Sequence, residues 1–374
     1  MGFSLAILFV AGLLVTSFAK LSRVDIGFDK ENLVAIEVVS RDVSAVGDRA
    51  RIAGNELVDR VRSTPGVVAA AFSRWALFSG SGGTNKVRIP GKEPESFEPH
   101  FLPVSPGFFE TMRIRIVEGR TFNENDFKPE RPTAVIINEA FARRYFANEP
   151  ALGRIYERVD RENLVRQEIV GIVADARYGG TLRQPAPPTA YLPLRESGSL
   201  MVRTTGDPLM IVPTVQREIG KANSSLRISS VSLQSTLVDD TMLQERLLAL
   251  LSAFFAIVGV LLAVVGLYGV LSYSVLQRTK EIGIRVALGA QASEIVWSVL
   301  ARTSVMVLIG TLCGLAGGAY LARFLSTILF EVKPLSLWSL AFPIACMTLG
   351  AIMAAIPPSL RAANIDPVIA LRYE

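Results

Sequence analysis

The sequence is short of the residues that most site chemistry needs. Its 374 residues include one histidine and two cysteines, and both cysteines, Cys313 and Cys346, sit inside apolar stretches. Segment 20–242 therefore has no cysteine, which excludes a disulfide framework and a cysteine zinc site there. The lone histidine, His100, has no cysteine or second histidine near it and reads as a surface residue rather than a metal ligand. No G-x-S-x-G is present to expose a serine nucleophile. Glu124 and Asp126 are spaced as in a solvated loop, not as a catalytic pair. No G-x-x-x-x-G-K-[ST] occurs anywhere, so the chain has no P-loop for ATP hydrolysis. No run of five like charges exists. The net charge of +5 comes from basic residues interleaved with acids, which argues against a nucleic-acid partner. An enzyme, a cofactor and a bound metal are all left without support.

Apolar residues are abundant and charge is uneven. Hydrophobic residues make up 50% of the chain and charged ones 20%. Segment 20–242 carries 30 Lys/Arg and 28 Asp/Glu, whereas 243–374 carries 9 and 6. An ordinary water-compatible segment is thus joined to a strongly apolar one, which excludes a purely cytosolic enzyme and a disordered chain.

A bilayer core about 30 Å thick needs about 20 apolar residues as helix, because a helix satisfies its own backbone in lipid. Four uncharged windows qualify: Met1–Ala19, Leu247–Gln277, Thr303–Ala322 and Pro334–Leu360. The last three predict transmembrane helices over about 248–274, 303–323 and 337–357. In the first, Ser17-Phe18-Ala19 resembles a signal-peptidase site. No basic residue precedes Lys20, however, and a signal peptide wants one, so 1–19 reads as a retained helix.

Lys and Arg in short loops set the orientation. The connection 278–302 holds Arg278, Lys280, Arg285 and Arg302, and the tail holds Arg361 and Arg372; both are expected in the cytoplasm. Connection 323–333 has only Arg323 and Lys333, beside Glu331. By parity, 20–242 lies outside. No charge lies deep in any span, which argues against a proton relay or ion pathway. In the third span Gly310, Gly314 and Gly318 repeat every four residues, a spacing that lets two helix backbones approach closely.

The external segment has two β-α-β patterns. Residues 33–39 read as a strand, 48–63 as a helix with Ala53, Leu57 and Val61 in line, and 67–72 as a strand. The pattern returns with a strand at 199–204, a helix from Pro208 carrying Ile211, Val215 and Ile219, and a strand near 226–233. The expected architecture is a split β-α-β subdomain over 30–75 and 191–235. A mainly β subdomain over 76–190 is inserted in it, with a strand–helix pair in Ala134–Phe146 and a strand at 168–174. Pro185–Pro188 and Tyr191-Leu192-Pro193 mark the return to the first subdomain.

The stretch Gln277-Arg-Thr-Lys-Glu-Ile-Gly-Ile-Arg-Val-Ala-Leu-Gly-Ala290 places Ile284, Leu288, Ile295 and Val299 on one helical stripe, with Lys280, Glu281 and Arg285 around it. On physics alone, a basic amphipathic segment beside a membrane reads as an interfacial anchor. The run also resembles the signature of MacB/FtsX-type ABC transporter permeases, as does Arg361-Ala-Ala-Asn-Ile-Asp-Pro-Val-Ile-Ala-Leu-Arg372. Val104-Ser-Pro-Gly-Phe-Phe-Glu-Thr-Met112, Gly119-Arg-Thr-Phe122, Val135-Ile-Ile-Asn-Glu-Ala-Phe-Ala-Arg-Arg-Tyr-Phe146 and Glu168-Ile-Val-Gly-Ile-Val-Ala-Asp175 are similar to the MacB-like periplasmic core domain.

The resemblance implies an α-helical protein of the bacterial inner membrane with four transmembrane helices. A large α+β extracytoplasmic domain of two subdomains (20–242) would be inserted between the first and second helices, and an FtsX-like permease domain (247–374) would follow. It implies a separate cytoplasmic ABC ATPase subunit docking on segment 278–295, with polar contacts from Arg278, Lys280, Glu281 and Arg285 and with Ile284 and Leu288 on the apolar stripe. It also implies a second permease half (a homodimer or a fused or split partner), a possible periplasmic adaptor, and efflux or release of a substrate by mechanical transmission. Family members usually carry a cytoplasmic segment before the first span, and the opening here resembles the second half of a double-length permease. The alternative expectation is a membrane-anchored sensor or scaffold whose external domain binds a ligand or partner without an ATPase.

Overall fold

The computed structural model of the chain describes all residues except 41–47, 92–94, 129–131, 148, 161–162, 180–181, 196–197, 223–225, 280, 283, 285–287, 289–291, 326–328, 331, 333–336 and 364–374. The chain divides into two units, Met1–Arg23 with Leu243–Glu374, and Val24–Met242.

The second unit is built on one sheet of eleven described strands. β1 (Leu33–Ser40), α2 (Asp48–Arg62) and β2 (Val67–Ser73) form the first crossover, following the N-terminal helix α1 (Gly2–Leu21) of the other unit. β3 (Val87–Arg88), β4 (His100–Val104), α3 (Phe108–Met112), β5 (Ile116–Gly119), β6 (Thr133–Asn138), α4 (Glu139–Tyr145), β7 (Ile155–Asp160), β8 (Asn163–Val173) and β9 (Thr189–Pro193) come next. β10 (Ser199–Thr204), α5 (Val212–Ala222), β11 (Leu226–Leu233) and α6 (Gln234–Asp240) complete it. The strand order is β11-β1-β10-β2-β4-β9-β6-β8-β7-β3, with β5 pairing β8.

At one end, β11-β1-β10-β2 is antiparallel throughout. With its two crossover helices this is the interleaved pattern of a split βαβ, ferredoxin-like layer. Strand periodicity dictates its core. Val34, Ile36 and Val38 of β1 alternate onto the face that packs with Leu57 and Val61 of α2 and Val215 and Ile219 of α5. Ile211, expected at the start of one long helix, instead ends a short 3-10 turn, Pro208–Ile211, before α5. Pro208 sits at the first turn and the Asp207 side chain accepts from Leu209 N–H, so the turn is capped before the helix proper begins.

The other end has its own core of Val135, Ile137, Phe141, Tyr156 and Ile169. β6 is buried from its second residue onward, as a central strand covered on both faces must be. Asn138 ends it and starts α4; its Oδ1 accepts from Phe141 N–H at 2.9 Å and from Thr189 N–H at 2.9 Å. One side chain therefore caps a helix and anchors the next strand. Gly119 has φ +77°, and a Cβ there would lie 2.5 Å from the Val170 carbonyl oxygen; only glycine lets β5 close on β8. The register joining the two ends is one pair, Ser73 with Val104. β9, expected to begin the return at 191, pairs with β4 and β6 on the inserted side.

In the first unit the long described helices are α1, α7 (Leu243–Gln277), α8 (Ala292–Leu325) and α9 (Leu337–Ala363). Among the described residues, four stretches are long and apolar enough to cross a membrane: Gly2–Leu21, Leu243–Gln277, Ser304–Phe324 and Ser339–Ala362. α7 has 35 residues and α8 has 34, roughly 50 Å each at 1.5 Å per residue, against a bilayer core of about 30 Å. Both helices outrun the lipid. On α7, Ala249, Ala256, Ala263, Leu267, Leu271 and Val275 are buried, whereas leucines such as Leu250, Leu261 and Leu262 are exposed, the inside-small, outside-apolar pattern of a helix facing lipid.

Candidate functional site

Between α7 and α8 the chain turns through the basic amphipathic stretch. Arg278 N–H donates to the Val275 carbonyl at 3.2 Å and Thr279 Oγ1 to the Leu276 carbonyl at 2.8 Å, carrying helical bonding past the end of α7. Ile282 N–H donates to the Arg278 carbonyl at 2.9 Å, and Leu288 N–H to the Ile284 carbonyl at 3.0 Å. Ile282 is buried, while Ile284 and Leu288 are 48% and 83% exposed. The structure thus turns this expected apolar pair outward, with the exposed Arg278 and Glu281 in the same turn. Lys280 and Arg285 lie outside the described residues, as do the side chains of Ile295 and Val299 and most of the 361–372 stretch.

The glycine face of α8 meets α1. A Cβ on Gly310 would lie 3.1 Å from Met1 Cβ; on Gly314, 2.6 Å from the Gly2 carbonyl oxygen and 2.8 Å from Leu5 Cβ; on Gly318, 2.7 Å from Phe9 Cδ1. Contacts of that kind leave no room for a side chain. Both helices advance in the same direction through these pairs, so they lie parallel. Farther along, Phe9 and Leu13 pack with Ala322, and Phe330 N–H donates to Ser17 Oγ at 2.8 Å.

Sequence reasoning missed a cavity. A space of about 750 Å³ opens between α1, α7 and α9. Leu8, Ala11, Gly12 and Val15 wall it on α1, Ala253, Ala256 and Ile257 on α7, and Phe342 and Pro343 on α9. Thr16, Lys20 and Ser339 also line it. The small residues at spacings of three and four on α1 and α7 were a usable signal, since they hollow one face.

Two residues behave differently from their sequence reading. His100 is only partly exposed: it is half-buried against Tyr178 with ring centroids 4.6 Å apart, and its buried Nδ1 has no hydrogen-bond partner among the described residues. Loss of water lowers its pKa below the ordinary histidine value. Asp126 is not a solvated loop carboxylate. Its oxygens take Arg120 in a bidentate pair at 2.6 and 2.9 Å and accept from Asn123 N–H at 2.8 Å. Burial works against its ionisation, but these donors win and its pKa falls. Among the described residues no group of three or more His, Cys, Asp or Glu could hold a metal ion.

An α+β domain set between the first and second of four apolar helices defines a multi-pass membrane protein with a large extracytoplasmic domain. The family model of the MacB-like periplasmic core domain matches residues 1–227, and that of the FtsX-like permease C-terminal region matches 253–367. The chain belongs to the ABC transporter permeases that combine these two domains. It is 25% identical over 86% of its length to the macrolide export ATP-binding/permease protein MacB of Chromobacterium violaceum, of which it spans about half (51%). It is 26% identical over 74% of its length to the uncharacterized ABC transporter permease YvrN of Bacillus subtilis, covering 70% of that protein. The crystal structure of the periplasmic region of MacB from Actinobacillus actinomycetemcomitans aligns with 59% of this chain and 97% of its own at 12% identity and a TM-score of 0.38.

Proposed function

We propose that this permease transmits an ATP-driven conformational change from a separate cytoplasmic ATPase subunit to its extracytoplasmic domain, for efflux or release of a substrate. The observation that carries the reading is the exposed Ile284/Leu288 pair at the turn between two helices longer than the bilayer. An apolar i,i+4 pair flanked by charges is the kind of helix face that seats in a partner's groove. The chain has no P-loop, so ATP chemistry is assigned to the partner.

The transmission path follows from stiffness. Beyond this segment α8 runs unbroken from Ala292 to Leu325. The glycine face of α8 is interlocked with α1, and twelve residues after α1 ends the chain enters β1. Displacement of the turn is then passed on as rigid-body movement rather than absorbed, because packed helix pairs deform little. The relative named for macrolide export supports a substrate with large apolar surface. A second permease half, identical or not, completes the transporter.

The test is a double substitution, Lys280→Glu with Arg285→Glu, in chain reconstituted in vesicles with the ATPase. The expected result is loss of permease-stimulated ATP hydrolysis with normal membrane insertion. Unchanged stimulation would place the docking site elsewhere.

A further inference from the structure

The cavity between α1, α7 and α9 has the depth, wall and mouth of a lipid site. Its α1 wall runs from Leu8 to Lys20, roughly 18 Å at 1.5 Å per residue. That is about the depth of one leaflet, half of a hydrocarbon core of about 30 Å. The leaflet is the extracytoplasmic one, since Lys20 lies at the end of α1 that leads into the external domain, and Ala253 lies near the end of α7 that leaves it. The deep wall is apolar, from Leu8 through Val15 and across Ala253, Ala256 and Ile257. The polar groups Thr16, Lys20 and Ser339 come at the outer end, where headgroups begin. Its volume of about 750 Å³ falls within the range of roughly 300–1,000 Å³ typical of small-ligand sites.

We propose that this cavity binds one lipid of the extracytoplasmic leaflet, its acyl chains laid along α1 and α7 and its anionic headgroup held at Lys20. The cation selects the headgroup, because a Lys ammonium at the interface attracts phosphate carrying net negative charge more than a zwitterion. The hollow selects the chains, because Ala11, Gly12, Ala253 and Ala256 withhold the side chains that would otherwise fill it. A Cβ on Gly12 would meet nothing within 4 Å, so the recess at that level is open. The site stands independently of ATPase docking.

The test uses the full chain in vesicles containing a phosphatidylglycerol with a photoreactive acyl chain, and parallel vesicles with the matching phosphatidylethanolamine. The expected result is photolabelling of residues 8–16 and 253–257 several-fold above that of the lipid-facing Leu261 and Leu262, and stronger with phosphatidylglycerol. Gly12→Phe, which fills open space, abolishes the cavity labelling and leaves Leu261 and Leu262 labelled. Lys20→Gln, at the mouth, is expected to make the two lipids equivalent while cavity labelling persists. Cavity labelling no higher than at Leu261 and Leu262, or unchanged in Gly12→Phe, would overturn the proposal. So would a covalent dimer formed on oxidation of a Gly12→Cys chain lacking Cys313 and Cys346, which would assign the face to a second copy.

Discussion

Arg203 ties three backbone segments of the extracytoplasmic unit together. It sits on β10 at 2% exposure and donates to three carbonyls, those of Thr111 (2.6 Å), Glu31 (2.8 Å) and Asp29 (2.6 Å), with the Asp29 carboxylate 3.2 Å away. A buried arginine is tolerable only when its donors are used, and here they stitch the C-terminal end of α3 to the lead-in of β1. Arg203→Met leaves those carbonyls without their donor, at about 1–3 kcal/mol each if they stay dry. The unfolding free energy of the detergent-solubilised chain is expected to fall by at least about 3 kcal/mol, and an unchanged unfolding midpoint would contradict the assignment. His100 makes a pH prediction. Its folded pKa lies below the unfolded value, so the unfolded chain binds the extra proton first. Stability is fully present above about 6.5, the unfolded value, and declines as pH falls below it. His100→Gln is expected to flatten that decline between pH 7 and 5, measured by unfolding at each pH. Neither residue was legible in sequence. The ring against His100 belongs to Tyr178, and the carbonyls on Arg203 lie more than 90 positions away, so no local pattern marks either one.

At the scale of elements, periodicity carried further. The strands at 33–39, 67–72 and 199–204 and the helix at 48–63 appear where alternation and the 3.6-residue stripe put them, because the faces they bury are built from their own side chains. Helix ends in the membrane unit were less legible. α8 begins at Ala292, well before the apolar window opens at 303, and α7 begins at Leu243, before Arg246. Charges mark where lipid stops, not where the helix does. The glycine spacing on α8 pointed to a helix contact without naming the partner, which is α1. A Cβ on Gly317 would lie 4.0 Å from Ala6 Cβ, within the span of a disulfide. Ala6→Cys with Gly317→Cys, in a chain lacking Cys313 and Cys346, is therefore expected to cross-link on mild oxidation; a failure to do so in intact membranes would contradict the α1–α8 packing. Gly314→Leu drives a side chain into Gly2 and Leu5 and is expected to cost about 1–3 kcal/mol, read as loss of that cross-link.

At the scale of the molecule, the sheet domain has two ends with separate cores, joined between β2 and β4 through one residue pair. The proline-rich 185–188 stretch reads locally as a return to the first layer. The strand after it first pairs with β4, some 90 residues earlier, a long-range choice that turn residues cannot encode. Topology across the bilayer was more legible, since basic residues and apolar windows are counted rather than folded. The proposed transmission path requires that topology, with segment 278–291 on the cytoplasmic side of the membrane and the sheet domain outside. The most direct measurement labels single cysteines in intact cells with a membrane-impermeant maleimide, using Thr121→Cys in the sheet domain and Gly283→Cys in the turn, in a chain lacking Cys313 and Cys346. The expected result is rapid modification at 121 and protection at 283 until the membrane is permeabilised. Modification at 283 with protection at 121 would contradict the account.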